Sequence, residues 1–140
     1  MLKYITIKQQ FTFKKEEKLK SRKLIENLFK QGISFSLFPF RILYLFTEKN
    51  SSHLQSGFAV STKNFKKAVD RNRIKRLMRE AYRLQKNPLA DALITNEKCM
   101  IIFFIYTGNV IPDYEEVSVK MQSALKRLNK IADESINANT

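Results

Sequence analysis

Between Lys63 and Lys86 the chain sets ten cationic side chains, at positions 63, 66, 67, 71, 73, 75, 76, 79, 83 and 86, against two acids, Asp70 and Glu80. That excess of +8 is most of the chain's net +13. Ile74, Leu77, Met78, Ala81 and Leu84 recur at helical spacing, the mark of one face packed on a core. On a 3.6-residue wheel, Arg71, Asn72, Lys75, Arg76, Arg79 and Arg83 fall within an arc of about 140° away from that face. A rigid comb of cations repels itself, and a polyanion offsets the repulsion. Arginine outnumbers lysine from 71 to 83, and its planar fork suits bidentate phosphate contacts. Acids four residues away, which would form self-satisfying helix pairs, are nearly absent on the basic arc. Asn72 adds a neutral donor and acceptor able to reach a ribose or a base edge. The core claims the apolar face, which argues against a membrane-surface helix.

Other chemistry finds less support. His53 is the single histidine. As a catalytic base it would need a nucleophile and an orienting carboxylate around it, and an exposed loop histidine is the simpler reading. Cys99 and His53 fall short of the four ligands usual for zinc, and Cys99 reads as a small core residue. Gly32, Gly57 and Gly108 are too far apart for a phosphate-cradling loop. Glu16-Glu17 and Glu115-Glu116 read as caps and solvated charge. No catalytic set and no metal site is therefore assigned to the protein itself.

Aromatic side chains offer a second nucleic-acid chemistry. Phe40, Ile42, Tyr44 and Phe46 alternate onto one face of an extended segment, with Leu43 and Leu45 on the other. Sheet aromatics can stack unpaired bases, and equally they can be core. Tyr44 is the best stacking candidate, because its hydroxyl tolerates a wet groove. Phe29 could close that groove from the opposite side.

These side chains need elements to hold them. Ser21 is placed to cap a helix carrying Leu24, Ile25, Leu28 and Phe29, stopped at Gly32. Strands are predicted over 33–37, 40–46 and 55–60, with a turn over 47–52. The basic helix spans about 67–86 and stops at Asn87-Pro88. Residues 100–106 form the most apolar run and read as a buried strand. Asp113 and Glu116 make a capping box for a last helix that buries Val117, Met121, Ala124, Leu125, Leu128 and Ile131. The expected order is αβββαβα in one domain over 16–132, with a basic, flexible arm at 1–15 and a frayed tail at 133–140. A length of 140 residues, 44% hydrophobic and 11% aromatic, is enough for a core. No apolar run is long enough for a membrane span or a secretory signal, and a single cysteine fits a reducing cytoplasm.

The run Arg71-Asn72-Arg73-Ile74-Lys75-Arg76-Leu77-Met78-Arg79-Glu80 resembles the arginine-rich signature of the protein subunit of bacterial ribonuclease P. Upstream, 57–63 (Gly-Phe-Ala-Val-Ser-Thr-Lys) is similar to the strand and loop that lead into that helix, and 21–32 resembles the family's first helix. The resemblance covers about residues 10–130. It implies an α+β, ribosomal-protein-like sandwich with a left-handed βαβ crossover around the basic helix. It also implies an endoribonuclease that works as a ribonucleoprotein. The RNA subunit carries catalysis with Mg2+ bound mainly by that RNA, and the 5′ leader is removed from precursor tRNA. Carried over by position, Arg71, Asn72, Arg73, Lys75, Arg76 and Arg79 contact the catalytic RNA, Lys63, Lys66 and Lys67 add phosphate contacts, and Phe29 and Tyr44 line the leader cleft. No membrane and no small-molecule cofactor is implied. The main alternative is a noncatalytic RNA-binding protein of ribosomal or assembly type. A DNA-binding regulator and an independent nuclease fit less well.

Overall fold

The computed structural model describes residues 11–48 and 52–138, so residues 1–10 of the expected arm and part of the expected turn lie outside the described residues. The Ser21 hydroxyl accepts the Leu24 N–H at 3.3 Å and starts helix α1, Arg22–Gln31. Gly32 ends it with an ordinary negative φ of −68°. Glycine is required there by close approach, since a Cβ would sit 2.3 Å from the Leu28 carbonyl oxygen. Strands β1 (Ile33–Leu37), β2 (Phe40–Thr47) and β3 (Leu54–Val60) follow, then α2 (Ala68–Gln85), α3 (Asn87–Thr95), β4 (Cys99–Tyr106) and α4 (Tyr114–Ala138). Asp113 accepts the Glu116 N–H at 2.8 Å, the capping contact expected for α4.

The strands form one sheet in the order β1-β2-β4-β3. β2 pairs antiparallel with both β1 and β4, while β3 and β4 run parallel and are joined through α2 and α3. Period-2 alternation divides the sheet into two apolar faces. Phe40, Ile42, Tyr44, Ile102 and Phe104 face α2, α3 and α4, where they meet Ile74, Met78, Leu93, Met121 and Leu128. Leu43 and Ile101 face the other way and pack with Leu28 of α1 and with Leu19. The mixed α+β class and every predicted strand are present.

Several local readings change. Asn87-Pro88 ends α2 but does not end helix, because proline in the first turn lacks only an N–H that needs no partner there, and α3 begins at once. Phe13 lies inside the expected arm, yet its ring packs edge-on against Phe58 and Tyr82, with centroids 6.0 and 5.5 Å away. Leu19 is buried, and its N–H donates to the Ser56 carbonyl at 2.9 Å, so the chain at Lys18 and Leu19 bridges to the outer edge of β3. At the other end α4 continues to Ala138, past the boundary drawn at Asp133.

Candidate nucleic-acid interface

α2 is rotated relative to its sequence-predicted face. Ile74, Met78, Ala81 and Tyr82 are its buried residues, whereas Leu84 is 40% exposed. On the wheel this turns the buried arc by about 50° from the expected one. The cause is Tyr82, a large ring that fills the space between Phe58, Phe104 and Phe13 and whose oxygen accepts the Ser56 hydroxyl at 2.6 Å. Burial drives the Tyr82 hydroxyl well above the usual tyrosine range.

The rotation sorts the cations. Asn72, Arg73, Arg76 and Arg79 are exposed, and among the described residues none of the three arginines has an ion pair. Arg71 and Lys75 sit on the flank, half-buried. The Arg71 guanidinium donates to the carbonyls of Phe65 and Lys66 at 2.9 and 2.8 Å, so part of its donor capacity is spent on the backbone. Arg83 pairs with Glu80 and also donates to the Phe11 carbonyl. The hydrogen bond from Arg83 to Glu80 holds the Glu80 carboxyl below the usual carboxylate range. Lys86, counted in the charge run from sequence, is buried and paired with Glu17 at 2.7 Å. The open comb is therefore shorter than the charge run.

The loop into α2 extends that surface. Phe65 is buried and anchors it, and the Asn64 amide donates to the Thr107 and Gly108 carbonyls at 3.3 and 3.2 Å, tying the loop to the end of β4. With the Arg71 contacts, these bonds leave Lys63, Lys66 and Lys67 facing solvent. Asn64, Phe65 and Arg71 thus position the lysines. The sequence signal that could have found this is a single bulky apolar residue, Phe65, set among polar neighbours.

The two aromatic candidates do not share a face. Tyr44 is only 7% exposed, on the α4 side, with its ring edge-on to Phe35 and Phe46 at 6.1 and 6.4 Å. The Arg127 guanidinium lies over Phe35, 4.2 Å from the ring centroid. Burial raises the Tyr44 hydroxyl above its ordinary value, and the charge of Arg127 opposes that rise. Phe29 is half exposed on α1 and meets Phe103 edge-on at 5.5 Å, on the opposite side of the sheet. A groove lined by both Phe29 and Tyr44 does not form, because alternation sends Tyr44 to the helix-covered face with Ile42. Phe103 is the aromatic the sequence reading missed. Gly57 makes room for it, since a Cβ there would be 2.6 Å from its ring.

His53 is half-buried, with Nδ1 2.9 Å from the Lys98 carbonyl and 3.9 Å from Cys99 Sγ, so it is held between the starts of β3 and β4 rather than free in a loop. Among the described residues no three His, Cys, Asp or Glu side chains gather as metal ligands, and no helix is long and apolar enough to cross a membrane.

Known proteins share this fold. The family model for Ribonuclease P matches residues 13–129. The chain belongs to the ribonuclease P protein family. The ribonuclease P protein component of Porphyromonas gingivalis is 37% identical over 119 residues, covering 84% of this chain and 87% of that protein. That of Borrelia turicatae is 32% identical over 117 residues, covering 84% and 96%. Among solved structures, the RNase P protein from Thermotoga maritima superposes with a TM-score of 0.62 at 28% identity, over 79% of this chain and 96% of that one. The Staphylococcus aureus RNase P protein gives 0.55 at 25% identity, over 84% and 96%. A ribonuclease P protein has an RNA partner. The exposed cations of α2 and its entry loop form one continuous positively charged surface.

Proposed function

We propose that this protein binds the catalytic RNA of ribonuclease P through α2 and its entry loop, and the 5′ leader of precursor tRNA through the α1 side of the sheet. It thereby assists endonucleolytic removal of the leader in the cytoplasm. One observation carries the reading: Arg73, Arg76 and Arg79, without ion pairs among the described residues, stand on one rigid helix beside three solvent-facing lysines. Exposed arginines fixed by a packed helix lose little freedom when they meet phosphate, so their contacts are preorganised. Phe29 and Phe103, rather than Phe29 with Tyr44, form the ledge on which leader bases stack in this reading.

Two RNAs of high charge density repel each other, and a cationic protein between them lowers that cost. The chain's residues bind and orient, and in this reading catalysis belongs to the RNA. Mg2+ held by that RNA would supply the activated water. The test is cleavage of precursor tRNA at low magnesium by the protein mixed with the ribonuclease P RNA of the same organism, each component also being assayed alone. Cleavage is expected only with both present, with precursor bound more tightly than mature tRNA. Tight RNA binding without cleavage would favour a noncatalytic RNA-binding module instead.

A further inference from the structure

Arg41 occupies a position where a strand has no structural use for an arginine. β2 is an inner strand, paired on both sides, and residue 41 shares the α1 side of the sheet with Leu43 and Leu45. Its cross-strand neighbours are Ser36 and Ile105, and Ala59 lies opposite Ile105 on β3. Two small residues in that row leave the guanidinium uncovered, and Arg41 is exposed. Among the described residues its side chain has no hydrogen bond and no ion pair. α1 packs on this face through Leu28, against Leu43 and Ile101, and Ile105 in Arg41's own row is only half-buried. Phe103 is the diagonal neighbour of Arg41, about 7–8 Å away by sheet geometry, and carries the contact with Phe29.

We propose that Arg41 is a positioning residue that grips a phosphate of the single-stranded leader while neighbouring bases lie on the Phe29–Phe103 ledge. This rests on the leader-face reading above. An aromatic ledge with a free cation one diagonal step away matches the alternation of base and phosphate along an unpaired strand. Arginine's donors can fork onto two phosphate oxygens at once. Lys63, in the loop that follows the same end of β3, carries positive potential onward from Arg41 toward α2.

The holoenzyme, reconstituted from the full chain and its cognate RNA, tests this through its affinities for precursor and mature tRNA over a salt series. Arg41→Met is expected to lower the precursor-to-mature affinity ratio about tenfold. The salt slope of precursor binding should fall by about one, and Arg41→Lys should keep most of both. Affinity for the catalytic RNA alone should not change, which also shows that the variant is folded. Arg41→Gln serves as a second neutral variant that keeps the surface polar. An unchanged ratio in both neutral variants, with a lowered ratio in Phe29→Ala, would overturn the role of Arg41 and leave the leader face standing. Should Phe29→Ala leave the ratio unchanged as well, the leader face itself fails and Arg41's role falls with it.

Discussion

Two side chains in α2 show how position on the helix outweighs residue type. Arg71 and Arg76 belong to one arginine-rich run, but Arg71 holds two loop carbonyls while Arg76 faces solvent without an ion pair among the described residues. Arg71→Ala should therefore lower folding stability by about 1 kcal/mol as well as weakening RNA binding. Arg76→Ala should weaken RNA binding and leave the urea midpoint almost unmoved, because surface substitutions usually stay within about 0.5 kcal/mol. Tyr82 makes a sharper case. Its hydroxyl is buried, accepts from Ser56 and is held above the ordinary tyrosine value. At pH above about 10 the unfolded chain releases a tyrosine proton that the native state keeps, so stability falls as pH rises through that value. Tyr44 and Tyr106 are shifted the same way by burial and add to the decline. Replacing Tyr82 by Phe should cost about 1–2 kcal/mol near neutral pH, since the buried Ser56 hydroxyl loses its partner. The same variant should lose less stability than the parent between mild and strong alkali, as chemical denaturation over a pH series would show. An equal decline in both would mean that Tyr82 does not set the alkaline limit.

At the scale of elements, what could be read from sequence depended on how local the signal was. Period-2 alternation in β2 and β4 separated two faces correctly, since it follows from backbone geometry alone. Which face the helices cover is a long-range fact, and for that reason Tyr44 was paired with Phe29 across a groove that does not form. The buried arc of α2 was displaced because a tyrosine can be read as surface or core, and its Ser56 partner lies 26 residues upstream. Asn87-Pro88 was a true helix end and also a helix start, and proline chemistry allows both. The Glu17–Lys86 pair, which fastens the N-terminal turn (Lys15–Glu17) to the α2–α3 junction, was invisible because charge runs do not reveal which lysine is buried. Element packing gives its own prediction at Gly57. A Cβ there pushes on the Phe103 ring, so Gly57→Ala should cost about 1–3 kcal/mol by overpacking. Because that ring carries the contact with Phe29, the variant should also lose discrimination between precursor and mature tRNA while its affinity for the catalytic RNA stays close to normal. A normal melting temperature together with normal discrimination would show that the ring moves aside freely and has no part in leader binding.

Across the whole molecule the net charge of +13 exaggerates the cations available to RNA. Arg83 is engaged by Glu80, Lys86 by Glu17, and Arg71 by two carbonyls, whereas Arg73, Arg76 and Arg79 face outward without ion pairs among the described residues. Each neutralised phosphate releases condensed counterions, so the salt slope of binding counts engaged cations rather than formal charge. Changing Arg73, Arg76 and Arg79 together to Gln should reduce the slope of log K against log salt for the catalytic RNA by about 2–3. Arg83→Gln with Glu80→Gln alters the sequence in the same helix but removes an internal pair, so its slope should change by well under one. Net charge distinguishes the two variants as well, falling by three in the first and not at all in the second. A neutral double change at 80 and 83 that flattened the slope as much as the triple change would mean that RNA displaces Glu80 and recruits Arg83. The binding surface would then extend toward the C-terminal end of α2, where Phe11 now lies. An unaltered slope in the triple variant would move the RNA contact away from these three arginines, to other exposed cations such as the loop lysines or Lys120, Lys126, Arg127 and Lys130 of α4.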